Sequence, residues 1–210
     1  MNCNAPFTAR PHGGFENDRG SHPSQGLPRP LIVGLLGLVL AGLGVPAVRA
    51  ETALSPEYQL KAVFLFNFAQ FVEWPAELFP DLKAPLVIGV LGKDPFGTYL
   101  DDLVGGEKIG DRLLVVRRYS RLEDLTNCHI LFISRSEARN LDTIFTRLKE
   151  QSLLTVSDVD TFTRQGGMVR FAMENGKIRL RINVEAAKAS NLRISSKVLR
   201  PDTIATPGKD

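Results

Sequence analysis

The chain has 210 residues, with 26 Lys and Arg against 23 Asp and Glu. Four of the basic residues (Arg10, Arg19, Arg29, Arg49) and two of the acidic ones (Glu16, Asp18) fall in residues 1–50. The remainder is therefore nearly neutral and has no concentrated basic face with which to displace counterions from a nucleic acid. Two cysteines, Cys3 and Cys128, are too few for a disulfide framework, and the length suits one hydrophobic core of roughly 150 residues better than two.

Residues 1–50 read as an N-terminal leader. Residues 31–45 hold only apolar residues and Gly, with one Pro further on at Pro46; Arg29 precedes them and Ala47-Val48-Arg49-Ala50 follows. That arrangement predicts a secretory signal peptide with cleavage near 50/51. The alternative is an inner-membrane anchor through residues 31–48. A spanning helix wants about 20 apolar residues, and Gly34, Gly37, Gly42 and Gly44 weaken this segment as a helix. No Cys stands immediately after the cleavage position, where Glu51 lies, so no acceptor for a lipid anchor is offered there, and export to the periplasm of a product without an internal disulfide is expected. Cys128 opens an apolar run and is expected to be buried like a small hydrophobe.

The domain expected over 51–200 begins with a helix from Pro56 to about Trp74. Ser55 can cap it, Pro56 suits its first position, Glu57 favours its positive end, and Pro75 stops it. The helix is apolar nearly all round, with a narrow polar stripe of Asn67, Gln70 and Glu73, so it must be covered by its own domain or by a partner. Residues 86–91, 113–116, 130–133 and 153–156 read as strands buried on both faces, as in a parallel sheet. Between them, Asp94-Pro95 predicts a helix ending near Gly105-Gly106, and Ser134 with Glu137 predicts a capping box ahead of a helix over 138–149. The fold class is thus α/β, a layered domain with a mostly parallel central sheet, crossover helices and a C-terminal antiparallel hairpin.

That hairpin is signalled by Asn175-Gly176 between residues 168–173 and 178–183. A two-residue turn pairs Met173 with Ile178, Phe171 with Leu180 and Val169 with Ile182 on one face. It also sets Arg170 opposite Arg181, with Arg179 beside them, which requires neighbouring carboxylates, solvent or an anionic partner. Asn183 caps a short helix through Ala189, and residues 201–210 read as a polar tail.

Catalytic designs find little support. His129 is the only histidine after the leader, so no H-E-x-x-H motif or Cys/His zinc cluster can be built, and neither a catalytic nor a metal residue is assigned. Cys128 and His129 are adjacent on a strand and point to opposite faces. The turn Gly92-Lys93-Asp94-Pro95-Phe96-Gly97-Thr98 lacks the Lys of a phosphate loop, and Asp101-Asp102 do not share a helix face. No cofactor is called for. The candidate partner- or ligand-binding residues are Asn67 and Gln70 on the apolar helix and Arg170, Arg179 and Arg181 on the hairpin.

An ordered set of blocks resembles the YfiR-like family of bacterial periplasmic regulators. The blocks are Glu57-Tyr58-Gln59-Leu60-Lys61-Ala62 with Phe64-Leu65-Phe66-Asn67-Phe68 and Val72-Glu73-Trp74-Pro75; Gly92 to Gly97; Cys128 to Ser134; Leu154-Thr155-Val156-Ser157-Asp158; Gly166-Gly167-Met168; and Ile182 to Ala187 through Ile194 to Leu199. The resemblance covers about Glu57 to Leu199. It implies a periplasmic α/β domain, often a homodimer, that binds and represses the periplasmic region of a membrane diguanylate cyclase or similar sensor and so modulates cyclic-di-GMP and biofilm formation. It also implies an outer-membrane, peptidoglycan-associated lipoprotein that sequesters the repressor. The best-known member carries disulfides, which Cys128 alone cannot form here. The alternative reading is a periplasmic small-ligand receptor, with its crevice at the ends of the parallel strands.

Overall fold

A computed structural model describes residues 54–149 and 151–198; the leader, the cleavage position and the tail lie outside them. Helix α1, Pro56–Phe71, starts as the sequence predicts, with Ser55 as cap and Pro56 in its first turn. It ends three residues early. Val72–Glu73 instead form β1, antiparallel to β9, Arg193–Ile194, and Phe71 O accepts a hydrogen bond from Ser195 N at 2.8 Å. Val72 is β-branched and Trp74 precedes a proline, so the extended backbone is locally favoured and the returning C-terminal segment satisfies it.

The remaining strands are β2 (Leu86–Leu91), β3 (Lys108–Ile109), β4 (Arg112–Tyr119), β5 (Ile130–Ile133), β6 (Leu154–Ser157), β7 (Val169–Glu174) and β8 (Lys177–Ile182). They form one seven-stranded sheet in the order β3-β4-β2-β5-β6-β7-β8. β4, β2, β5, β6 and β7 are mutually parallel, while β3 and β8 are antiparallel additions at the edges. The chain passes from β2 to β4 on one side and then to β5 on the other, so the topological switch point lies between β2 and β5.

Helices α1 and α2 (Thr98–Val104) cover one face of the sheet, where Leu65, Phe68, Leu100, Ile88, Phe132, Val156 and Phe171 share a core. Helix α3, Leu141–Leu148, covers the other, packing Ile144 and Leu148 with Leu131, Ile133 and Phe162. β2, β5 and β6 are buried on both faces as expected. β4 is not: only the two-residue β3 lies outside it, and Leu113, Arg117 and Arg118 are exposed.

Two helix starts are later than expected, for the same reason. Asp94 Oδ1 accepts from Phe96 N at 2.7 Å and Gly97 has φ +55°, so the chain completes a side-chain-closed turn before α2 begins at Thr98. Ser134 accepts from Ser136 N, and a short 3₁₀ turn over Arg135–Glu137 takes the place of the expected capping box. The hairpin obeys its predicted register: Met173 faces Ile178, Phe171 faces Leu180, Val169 faces Ile182 and Arg170 faces Arg181. Asn175 and Gly176 have φ of 50° and 71°, as a type I′ turn demands. Asn183 caps α4, Val184–Ala189, by accepting from Ala186 N at 3.0 Å.

Gly167 is a packing requirement between β6 and β7. A Cβ there would sit 2.2 Å from Cε1 of Phe162, a fully buried ring of the α3-side core. Gly167→Ala is expected to cost about 1–3 kcal/mol through displacement of that ring, measured as a fall in the urea midpoint without a change in slope.

Candidate functional site

Lys61 lies on the sheet-facing side of α1 and is only 2% exposed. Its ammonium is 2.5 Å from Asp158 Oδ2 and 2.5 Å from Glu57 Oε1, and it lies 4.2 Å from the centroid of the Tyr58 ring. Asp158, 1% exposed, directly follows β6. Its Oδ2 also accepts from the Tyr58 hydroxyl at 2.9 Å, while Arg135 Nε lies 3.2 Å from Oδ1 without hydrogen-bonding geometry. Helical spacing places Tyr58, Lys61 and Leu65 on one face, so the apolar helix carries one charged anchor into the domain.

The electrostatics are those of a clamp. Burial pushes the Asp158 carboxyl up, but the hydrogen bond and charge of Lys61, the Tyr58 hydroxyl and Arg135 outweigh it and hold the group below the usual carboxylate range. Burial and the neighbouring Asp158 push the Tyr58 phenol up to about 12. Burial, aided by Arg112 and Arg117, pushes His129 down to about 4. Each of these groups is moved away from neutrality, the reverse of what general acid–base work requires.

The strand-end crevice at the switch point is occupied by the chain's own side chains. Ser136 Oγ accepts from Lys93 N at 3.0 Å and donates to Glu137 Oε1, and a Cβ on Gly92 would sit 2.3 Å from Ser136 Oγ. Asn140 holds the other oxygen of Glu137. The Gly92 to Thr98 segment is thus a packed strand–helix turn. Asp94 and Asp101 both pair with Arg118 and so fix that turn to β4.

The five candidate residues fall in two places. Asn67 is half-buried and Gln70 exposed, on the side of α1 turned away from the sheet, together with Leu60, Val63 and Phe71. Leu60 is 46% exposed. Beside this face, Phe64 meets Phe171 at 5.8 Å, and Met173, 51% exposed, continues the same side of β7 toward the hairpin tip. Arg170, Arg179 and Arg181 alternate with those residues and therefore lie on the opposite side of the sheet. Arg170 donates to Asp160 O at 2.9 Å with the Asp160 carboxylate 3.6 Å away, and Arg181 lies 2.5 Å from Glu174. Neighbouring carboxylates thus meet the need created by setting Arg170 against Arg181.

Cys128 is half-buried rather than fully buried, yet its thiol points inward. It donates to Ile130 O at 3.1 Å and packs where Gly89 has no Cβ, and burial pushes it up to about 12. The opposite-face expectation holds for its neighbour, since His129 Nδ1 accepts from Val87 N at 3.1 Å. Among the described residues no three His, Cys, Asp or Glu side chains are grouped so as to hold a metal ion, and no helix is long and apolar enough to cross a membrane. The feature that sequence reasoning missed is Lys61–Asp158. Its signal was a lone lysine on the core face of an apolar helix and an aspartate ending an apolar strand.

Asp158→Ala strands the Lys61 ammonium in the interior and is expected to cost about 3–5 kcal/mol, whereas Lys61→Met with Asp158→Leu together should cost less than Asp158→Ala alone. Urea unfolding of the three chains checks this order. The pH dependence has two windows. His129 titrates at about 4 when folded against about 6.5 unfolded, so the unfolded chain binds its proton first and stability falls as pH drops from about 6.5 toward 4. Asp158 is depressed below its unfolded value of about 3.9, so its contribution is present above that pH and lost as pH falls through the folded value. Urea midpoints against pH should show both losses, and His129→Gln should remove the upper one.

A family model described as YfiR/HmsC-like, DUF4154, matches residues 58–201. That span includes the sheet, the helices that cover it, Tyr58, Lys61, Asp158 and the hairpin, and it exceeds half of the chain. The protein belongs to the YfiR/HmsC-like family.

Proposed function

We propose that this chain is a non-enzymatic periplasmic regulator that binds the periplasmic part of a membrane diguanylate cyclase, or a similar sensor, and represses it. The family is a regulatory, non-catalytic one associated with diguanylate cyclase signalling. The observation that carries the reading to this chain is the outward side of α1. A helix held from beneath by a buried ion cluster shows solvent Leu60, Val63 and Phe71, with Asn67 and Gln70 between them and Met173 alongside. Apolar side chains set among a few polar ones on a rigid element suit a protein contact. Tyr58, His129 and Asp158, by contrast, are moved away from the range that general acid–base catalysis uses.

On this reading residues 1–50 are removed on export, residues 51–200 are the working domain and 201–210 a tail. Arg170, Arg179 and Arg181 form a second, polar contact region on the far side of the sheet. Homodimers and an outer-membrane, peptidoglycan-associated lipoprotein that withdraws the repressor complete the scheme. A small-ligand receptor using the strand-end crevice is disfavoured, because Ser136 and Glu137 fill the turn at Gly92 and Lys61–Asp158 closes the α1 side.

Deleting the gene should raise cellular cyclic-di-GMP, and an unchanged level overturns the repressor reading. Affinity capture of the tagged protein from gently solubilised, crosslinked envelopes should retain an inner-membrane cyclase or sensor; recovery of the chain alone argues against it. Leu60→Asp and Val63→Asp, at positions turned away from the core, should abolish that capture while shifting the urea midpoint little, by less than about 0.5 kcal/mol.

A further inference from the structure

β8 is the outermost strand of the sheet and pairs only with β7 among the described residues. Backbone bonds in an antiparallel pair are exchanged at every second residue. Asn183 N donates to Met168 O at 2.7 Å, and the register carries that phase to Arg170–Arg181, Ala172–Arg179 and the turn-closing pair Glu174–Lys177. The N–H and C=O groups of Ile178 and Leu180 therefore point away from β7, and no described residue bonds to them. Ile182 is fully buried, so the open stretch of the edge runs from the turn to Leu180. Its two sides differ in chemistry. Ile178 and Leu180 turn toward the α1 core, with Met173, 51% exposed, across from Ile178. Lys177, Arg179 and Arg181 turn the other way, on the side of Arg170. Glu174 and Asp160 meet Arg181 and Arg170 there. Lys177 has no ion pair among the described residues, and Arg170 Nε is buried with no acceptor among them, so this side still lacks acceptors.

We propose that the open edge of β8 takes an extended acidic segment of a partner protein as an added strand, with carboxylates at alternate positions beside Lys177, Arg179 and Arg181 and apolar side chains beside Ile178 and Leu180. The backbone groups of Ile178 and Leu180 supply the main-chain bonds that give affinity in strand addition, and the alternating side chains select the partner. A second copy of this chain does not fit. Antiparallel pairing of two β8 edges about Leu180 sets Arg179 of one copy against Arg181 of the other, and pairing about Arg179 sets that residue against itself. Like charges directly opposite repel, which keeps such an edge from pairing with its own kind. An acidic strand turns the same row into attraction. The edge gives the arginine side of the hairpin a definite partner chemistry; it does not rest on the docking face of α1, and its test involves no cyclase.

The test is amide hydrogen exchange, read by NMR on the ¹⁵N-labelled protein with and without the peptide acetyl-Val-Glu-Val-Glu-Val-Glu-amide. About 1 mM peptide should slow exchange at Ile178 and Leu180 about tenfold, as a Kd of about 0.1 mM implies, and leave Arg179, already bonded to β7, unchanged. The same peptide with Lys in place of Glu should give no protection at equal ionic strength. Arg179→Glu, at an exposed position, should weaken the acidic peptide roughly fivefold. Ile178→Pro removes an outward N–H and no bond to β7, and should abolish its binding. Equal protection by the Lys peptide overturns the acidic partner, and unchanged exchange at Ile178 and Leu180 overturns the docking edge. Protection of both amides without peptide shows the edge already filled and also overturns the proposal; the occupant is then a second copy if protection grows with protein concentration, and otherwise the chain itself.

Discussion

The pairing of Lys61 with Asp158 is the constraint on which the arrangement of this domain depends. Taking an ammonium and a carboxylate out of water costs several kcal/mol for each, and the cost is met only where the geometry is close and the remaining lone pairs and protons find partners. Here Glu57, the Tyr58 hydroxyl and the Tyr58 ring complete the shell, and Arg135 stands over the second carboxylate oxygen. Because Lys61 is on α1 and Asp158 at the end of β6, satisfying the pair determines how the helix is rotated on the sheet. Nonspecific apolar packing could not do so, since α1 offers hydrophobic side chains in nearly every direction. Rotation in turn decides that Leu60, Val63, Asn67, Gln70 and Phe71 face outward and that Leu65 and Phe68 face in.

The same logic of mutual pairing governs the polar residues at the strand ends. Doubly wound sheets usually offer a ligand crevice where strand order reverses. In this chain the loops after β2 and β5 close on each other through Lys93, Ser136 and Glu137, and Arg118 ties the following turn to β4 through Asp94 and Asp101. Charges that could have acted on a substrate are spent on each other. What remains outward is an apolar helix face on one side and, on the other, an arginine row steadied by Asp160 and Glu174. Rigid surfaces of different character thus lie on opposite sides of one sheet.

Much of the fold was legible from residues alone, and the reasons are local. β2, β5 and β6 are continuous apolar runs because both faces are covered, and the Asn175-Gly176 turn sets a register that places every large apolar hairpin residue on one side. The misreadings occur where two local signals compete. Asp94 and Ser134 each look like helix caps, yet their side chains close turns first and postpone α2 and α3. Val72 and Glu73 continue an apolar helical pattern, yet a segment about 120 residues away, Arg193–Ile194, pairs with them as strand. The candidate residues were read as single features, and nothing in their spacing could tell that alternation on β7 and β8 sends the arginines to the side opposite α1.

By itself the sequence determined the α/β class, the order of helices and strands, the hairpin and its register, and the neutrality that speaks against nucleic acid, because these follow from periodicity, turn chemistry and charge carried by neighbouring residues. Only the tertiary structure decided that Lys61 and Asp158 meet, that Glu137 fills the turn at Gly92, and that His129 spends Nδ1 on Val87. These depend on contacts between residues 97, 45 and 42 positions apart. No local pattern encodes such a distance, and each contact is worth its desolvation only after the sheet has brought the partners together.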